Sequence, residues 1–372
     1  MSGFLPSAET FAKGAFATVA TVTATAAALL YYGQNYLIYP SAYISLGPEA
    51  DIVESPSSFG LHYEDVELKT SDGVTLRCYL LPQKKELPRP TRFSTIPITP
   101  LNYSDRETDV EELMTRRPTV IMFHGNGGNL GHRIPLGMMF QLLVRCNVLM
   151  VSYRGCVLML SCLQSYELSF ILPVGTENPM AHPQRKVRLP SFHSLTRPYD
   201  PASGFQQDAQ AALDYLKSDP RFSKTRIFVY GQSIGGAVAI DLVSRNPSKI
   251  FALILENTFT SLPALVPHVL PILGPFTFLC HQKWNSASKI PLIPARTPVL
   301  LLSGSADTLV PPEHMRELRE LMRKRGEDEV SRWEEFAGGQ HNDTSGQRGY
   351  WHAVDDFVTS LILASEKEKA PL

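Results

Sequence analysis

The sequence predicts an α/β fold in which helices cover both faces of a mostly parallel, eight-stranded sheet. Two observations lead to this prediction. Short apolar runs rich in Val, Ile and Leu alternate along the chain with segments of helical period. One of these runs leads directly into a Gly-x-Ser-x-Gly turn at residues 231–235, and a helical segment follows the turn at once.

Composition excludes several classes of protein. The 372 residues are enough for one large domain or two ordinary ones, and the hydrophobic content of 44% can supply a sizeable core. The net charge of −1, without a long basic stretch, argues against a nucleic-acid partner. The cysteines are odd in number and lack metal-site spacing, so we expect mostly buried free thiols, without a disulfide framework or metal site. They are Cys78, Cys146, Cys156, Cys162 and Cys280.

The N-terminal region predicts a membrane anchor. Residues 15–32 carry no charge and are just long enough for a transmembrane helix, with Tyr31, Tyr32 and Tyr36 at one interface. A cleavable signal peptide or a helix of a soluble domain are the alternatives. Lys13 precedes the run, which places the N-terminus in the cytosol and the remainder in the lumen or outside the cell.

The remaining segments define the domain organisation. We expect a tail at 1–14, a juxtamembrane linker at 33–60, one α/β domain at 61–366 and a second tail at 367–372. Strands are predicted at 61–68, 74–81, 119–123, 148–153, 226–230, 251–256, 299–303 and 331–336. Helices are predicted at 131–145, 205–216, 237–243, from about 312 to 325, and at 350–366. The first of these helices should bury Leu136, Met139, Phe140 and Leu143.

Three segments do not follow this alternation. Residues 82–118 are rich in Pro, Thr, Arg and Lys, which predicts a long surface insertion. Residues 156–199 begin with a strongly apolar stretch and end with a basic one. They are either a lid or membrane-contacting flap or, as we favour, a stretch foreign to the fold such as a retained intron. The Pro-rich and apolar residues 260–298 are expected to cap the active site.

The chemistry is predicted from residues that follow strands. Ser233 lies in the Gly-x-Ser-x-Gly turn, Asp307 follows the strand at 299–303, and His341 lies in a Gly-rich loop after the last strand. Nucleophile, acid and then base is a known chain order for a serine hydrolase, in which His341 removes the Ser233 proton and Asp307 orients His341. We therefore expect Ser233, Asp307 and His341 to be catalytic.

A second Gly-rich loop, at residues 124–129, is predicted to bind the oxyanion of the intermediate. It lacks the Lys-Ser/Thr of a phosphate-binding P-loop, which argues against a nucleotide. The backbone N–H groups of Asn126 and Ile234 should converge on the oxygen. His124, at the start of this loop, is predicted to be structural rather than a base.

These motifs resemble the α/β-hydrolase superfamily and, within it, the bud-emergence (Bem) subgroup of membrane-anchored serine hydrolases and its mammalian relatives. The matching segments are 36–40, 124–129, 152–155, 208–216, 231–236, 256–259, 304–312 and 338–342. The sequence departs from the subgroup at 156–204, where a short turn of the family is missing, and at the long segment 82–118.

The resemblance implies hydrolysis of an ester or thioester without a cofactor. A membrane lipid or an acylated molecule would be the substrate, and the endoplasmic reticulum or the plasma membrane the location. The alternative is a non-catalytic membrane scaffold of the same fold, acting in cell polarity. Protein partners do not follow from the sequence.

Overall fold

A central sheet organises the chain in the computed structural model, which describes residues 8–39, 54–84, 110–127, 130–154, 201–326 and 331–367. The strands are β1 (Glu64–Lys69), β2 (Thr75–Leu81), β3 (Thr119–Phe123), β4 (Asn147–Val151), β5 (Ile227–Gln232), β6 (Ala252–Glu256), β7 (Val299–Gly304) and β8 (Arg332–Phe336). The helices are α1 (Ala8–Ile38), α2 (Val110–Arg116), α3 (Ile134–Leu142), α4 (Pro201–Ser218), α5 (Ile234–Arg245), α6 (Leu262–Val269), α7 (Ser286–Lys289), α8 (Pro312–Arg323) and α9 (Tyr350–Lys367).

The strand order is β1-β2-β4-β3-β5-β6-β7-β8. The pairs β1–β2 and β2–β4 are antiparallel, and every other pair in this order, from β4 to β8, is parallel. The predicted fold class is therefore confirmed. Strand β4 lies on one side of β3 and β5 on the other, so the order in which strands are added to the sheet reverses at β3. Such a reversal opens a crevice at the carboxyl ends of the strands, where α/β proteins bind their ligands.

Two hydrophobic layers cover the sheet. Helices α4, α5 and α8 pack on one face, and α3 and α9 pack on the other. Every residue of β3 to β7 is buried. This explains why these strands are continuous apolar runs rather than alternating patterns, as expected where both faces of a parallel sheet are covered.

The N-terminal helix is longer than the sequence predicted. Helix α1 has 31 residues and continues to Ile38, so the prediction of a linker starting at residue 33 is wrong for 33–38. The reason is tertiary packing, because the buried side chains of Gln34 and Tyr39 contact the segment that follows α6. Helix α1 is long and apolar enough to cross a membrane.

The segment 82–118 is only partly described, and its end differs from the prediction. Residues 110–116 form α2, whose Leu113 and Met114 are buried, so this end is part of the core rather than a surface insertion. The prediction rested on the polar composition of the whole segment, whereas this short helix is stabilised by burying its apolar face. Residues 85–109 and the whole of 156–199 lie outside the described residues.

Helix α3 is rotated relative to the predicted helix. Its buried positions include Ile134, Gly137 and Phe140, whereas Leu136 and Met139 are only half-buried. The physical reason is Gly137, where an added Cβ would come within 2.7 Å of the Met150 sulfur. This close approach to β4 turns the small residue towards the sheet.

Residues 260–298 consist of short helices and turns, and we call them the cap. Helix α6 is followed by a 3₁₀ helix, Pro271–Leu279, then by α7 and a further 3₁₀ turn, Ile290–Leu292. Among the described cysteines, Cys78 and Cys146 are buried free thiols and Cys280 is a half-buried one.

Candidate active site

The turn between β5 and α5 has a strained backbone at one residue. Ser233 has φ 55° and ψ −123°, a backbone conformation that residues other than glycine rarely adopt. Its N–H donates to the Glu256 carbonyl at 3.0 Å, and its own carbonyl accepts from Gly236 N at 2.9 Å and Thr258 Oγ1 at 2.6 Å. These bonds hold the strained residue in place, as expected where strain serves a site.

Two glycines allow the sharp turn to form. A Cβ on Gly231 would overlap the backbone of Gly235, and a Cβ on Gly235 would overlap the carbonyl oxygen of Phe123 at the end of β3. The Gly-x-Ser-x-Gly pattern is therefore required by close backbone approach.

Asp307 and His341 meet at the same edge of the sheet. Asp307 Oδ2 lies 2.7 Å from His341 Nδ1, and both side chains are buried. The other carboxylate oxygen accepts backbone N–H bonds from Leu309 at 2.9 Å and Val310 at 2.8 Å. The carboxylate is thus fixed in one orientation and directs a single oxygen at the imidazole.

Asn257 holds the loop that carries His341, a role that the sequence did not predict. Its Nδ2 donates to the carbonyls of Gln340 at 3.2 Å and His341 at 3.3 Å and to Thr344 Oγ1 at 2.9 Å. Its Oδ1 accepts from Gly304 N at 2.8 Å. Asn257 has a φ of 43°, which Asn tolerates better than most residues. The only sign of this role in the sequence is therefore an Asn directly after a strand.

Glu256 is a buried carboxyl group beneath this loop. It accepts hydrogen bonds from Tyr230 Oη at 2.6 Å, from Tyr350 Oη and from Gln232 Nε2 at 3.3 Å. Burial raises the pKa of Glu256 above its usual range. Gln232 Nε2 also donates to the His341 carbonyl at 3.0 Å, so a continuous polar network joins Glu256 to the His341 loop.

The predicted oxyanion residues lie beside Ser233. Asn126, Ser233 and Ile234 line one cavity, and a Cβ added to Gly125 would be 3.4 Å from the Ser233 Cβ. Ile234 is the first residue of α5, so its N–H has no acceptor within the helix. The Asn126 side chain donates to the carbonyl of Ile38, the last residue of α1.

His124 is a buried residue of the loop, as its predicted structural role requires. Its Nδ1 is 2.7 Å from the Gly125 carbonyl, and its ring packs on Tyr153 with the ring centres 4.7 Å apart. Burial lowers the pKa of His124 to about 4, with a smaller contribution from Arg133. The ring is therefore neutral near pH 7 and donates through Nδ1.

An apolar cavity of about 220 Å³ opens above Ser233. One wall comes from α1 and the opposite wall from the cap; the apolar residues that line it include Leu30, Leu37, Leu265, Val266, Leu273 and Phe276. Among the described residues, no group of three or more His, Cys, Asp or Glu is placed to hold a metal ion.

The doubly wound sheet, the strained serine turn and the Asp–His pair that follows β7 and β8 together define an α/β-hydrolase. Residues 198–295 match the family model described as serine aminopeptidase, S33. An α/β-hydrolase from Vibrio vulnificus aligns with a TM-score of 0.55 and 19% identity over 89% of this chain and 93% of its own, which supports the fold.

Two curated relatives identify the family of α/β-hydrolases to which the chain belongs. The chain is 35% identical to protein bem46 of Schizosaccharomyces pombe over 91% of this chain and 89% of that protein. It is 29% identical to an uncharacterized membrane protein of Saccharomyces cerevisiae over 91% of this chain and 93% of the yeast protein. The chain belongs to the Bem46 family of α/β-hydrolases.

Proposed function

We propose that the protein is a membrane-anchored serine hydrolase that cleaves an acyl ester or thioester through an acyl-Ser233 intermediate. The observation that carries the proposal is the strained Ser233, at the floor of an apolar cavity and at the same sheet edge as the Asp307–His341 pair. Strained turns of this kind expose a serine oxygen above the sheet of an α/β-hydrolase.

Acylation uses the three side chains in turn. His341 Nε2 removes the proton from Ser233 as Oγ attacks the carbonyl carbon, and Asp307 stabilises the imidazolium through its 2.7 Å bond to Nδ1. The backbone N–H groups of Asn126 and Ile234 stabilise the oxyanion. The carbonyl–leaving-group bond then breaks, and the imidazolium protonates the departing alcohol or thiol.

Deacylation repeats these steps with water. His341 removes a proton from a water molecule, whose oxygen attacks the acyl carbon. Collapse of the second tetrahedral intermediate breaks the bond to Ser233 Oγ, which regains its proton, and a carboxylic acid leaves.

The cavity supports an acyl substrate. Its walls are mostly apolar side chains, with Ser233 and Asn126 at the floor and Gln34 and Thr277 as the polar residues of the walls. An apolar chain would leave water on entering the cavity and bring its carbonyl to the serine, which is the arrangement by which apolar pockets with few polar groups orient ligands.

We also propose that α1 is a single-pass anchor. Two of its hydroxyl groups are satisfied within the helix, since Thr18 Oγ1 donates to the Gly14 carbonyl at 2.9 Å and Thr21 Oγ1 to the Ala17 carbonyl at 2.8 Å. Such bonds let Thr residues lie in lipid. With Lys13 on the cytosolic side, the hydrolase domain lies in the lumen or outside the cell. The chain has two N-x-S/T glycosylation sequons in this domain, Asn102-Tyr103-Ser104 and Asn342-Asp343-Thr344. When the protein is expressed in a eukaryotic cell, endoglycosidase treatment should then increase its gel mobility, and the variant Asn102→Gln/Asn342→Gln should not show this change.

Labelling of the full-length protein by a fluorophosphonate probe tests the catalytic proposal. Wild type should label, Ser233→Ala should not, and the matched variant Ser244→Ala, on the following helix, should label normally. A folded wild type that does not label would favour the non-catalytic scaffold instead.

A further inference from the structure

The hydrolase domain is bonded to its own membrane helix rather than tethered by a flexible linker. Gln34 of α1 is buried; its Nε2 donates to the Leu279 carbonyl at 3.2 Å, and its Oε1 accepts from the N–H of His281 at 2.9 Å. The Tyr31 carbonyl lies 3.1 Å from His281 Nε2. These contacts connect the end of α1 to the segment directly after the Pro271–Leu279 helix.

Tyr39, directly after α1, makes a second connection. Its buried hydroxyl accepts from Trp284 Nε1 at 2.6 Å, and its ring packs edge-on against Phe205 of α4, with ring centres 5.3 Å apart. Together with the bond from Asn126 to the Ile38 carbonyl, this fixes the helix against the cap and the oxyanion loop. The orientation of α1 therefore determines the orientation of the cap.

The length of α1 locates the membrane surface. At 1.5 Å per residue, the helix of 31 residues is about 46 Å long, whereas the hydrocarbon core of a bilayer is about 30 Å thick. The uncharged residues 15–32 span about 27 Å, close to this thickness, and leave Glu9 and Lys13 on the cytosolic side of it. The contacts with the cap begin at Leu30 and Tyr31, where the helix leaves the hydrocarbon.

The cap exposes apolar side chains at this level. Ile272 is 82% exposed and Phe278 is 78% exposed, and Phe278 is three residues from His281, which contacts Tyr31. Neighbouring residues of the cap are also exposed and apolar. We call this set the cap ridge: Val269, Leu270, Ile272, Phe276 and Phe278.

The cavity opens onto the same surface. Three residues of the cap ridge also line the cavity, namely Val269, Leu270 and Phe276. From the opposite side, Leu37 of α1 lines the cavity and is 54% exposed. The mouth therefore lies between the ridge and the membrane helix.

We propose that the cap ridge is embedded in the bilayer that holds α1, so that the acyl chain of a membrane-resident substrate enters the cavity from the lipid without crossing water. The proposal rests on the proposed function and specifies where its substrate comes from. Continuity with α1 identifies lipid as the occupant, because a large exposed apolar patch next to a membrane helix is covered at least cost by the same membrane.

The first test compares two substrates on the full-length protein in phosphatidylcholine vesicles. One is water-soluble p-nitrophenyl acetate, and the other is 4-methylumbelliferyl palmitate dissolved in the bilayer. The variant Ile272→Glu/Phe278→Glu changes ridge residues that do not line the cavity. It should hydrolyse the palmitate ester at least tenfold more slowly and the acetate within twofold of wild type.

Leu363→Glu is the matched control. Leu363 is also exposed but belongs to α9, which packs on the opposite face of the sheet, so both rates should stay at the wild-type level. Equal losses in the ridge and control variants, or an unchanged palmitate rate in the ridge variant, would overturn the proposal.

A second measurement does not require catalysis. In vesicles of brominated phosphatidylcholine, the fluorescence added by Phe278→Trp should be quenched and that added by Leu363→Trp should not, relative to the wild-type background of three Trp. Quenching without turnover or fluorophosphonate labelling would retain the membrane contact and reject the proposed chemistry. Equal exposure of both added Trp residues to water would reject the membrane contact.

Discussion

The catalytic edge of the sheet and the cap are built by different physical means. At the edge, buried polar side chains such as Asp307 and Asn257 are each held by several hydrogen bonds. In the cap, apolar side chains meet across a cavity, and many remain exposed. Hydrogen bonds fix direction, whereas apolar contacts do not. We therefore expect substitutions at the edge to alter the chemical step, and those in the cap to alter substrate choice.

The largest effect is expected from Asp307→Asn. The Asn oxygen can still accept from Leu309 and Val310, but its amide nitrogen would then face His341 Nδ1 and favour the wrong tautomer of the ring. We expect kcat/KM to fall by about 10⁴, as when a triad carboxylate is made neutral. Ester hydrolysis by purified protein measures the change.

Asp343→Asn is the control for this variant. Asp343 lies in the same loop and accepts from Gln340 N through Oδ1, an acceptor that Asn retains. Its activity should stay within threefold of wild type. Similar losses in the two variants would show that loop disruption, rather than the Asp307 charge, causes the defect.

Asn257→Ala should have the next largest effect. It removes three contacts to the His341 loop and the acceptor for Gly304 N. A displacement of about 1 Å can cost about 100-fold in rate, so we expect kcat to fall about 100-fold with little change in KM. Asn246→Ala, which removes a buried Asn at the end of α5, should lower stability but leave kcat unchanged.

His124 should make stability depend on pH. Its pKa is about 4 in the fold and about 6.5 when exposed. Between these values the unfolded chain binds the extra proton, so stability is lost as pH falls from about 6.5 to about 4. Between pH 7.5 and pH 5, the unfolding free energy of wild type should therefore fall by about 2 kcal/mol more than that of His124→Asn. Urea denaturation at both pH values measures this, and parallel curves would contradict the burial argument.

The sequence predicts what depends on local pattern. Strands β3 to β7 are apolar runs, and Ser233, Asp307 and His341 each follow a strand, so their shared edge follows from parallel pairing. The eight-stranded fold could therefore be predicted, together with the positions of these three side chains.

The sequence does not predict contacts between distant parts of the chain. Asn257 binds groups 83 to 87 residues further along, and Gln34 binds the cap across 245 residues or more. No local pattern specifies such partners, since either amide could equally be solvated. The linker predicted from residue 33 was wrong at 33–38 for this reason.

The smallest effect should come from the cap, and it should depend on the substrate. Val266 is half-buried and lines the cavity, so Val266→Trp should fill space that a long acyl chain needs. We expect kcat/KM for a palmitoyl ester to fall about tenfold and that for an acetyl ester to change less than threefold, since losing a few apolar contacts costs about 1–3 kcal/mol. Kinetics across a series of acyl lengths measures the shift, with Ser244→Ala as a control outside the cavity. A uniform loss at all lengths would mean that the cap also positions the catalytic groups, and the division between the two regions would fail.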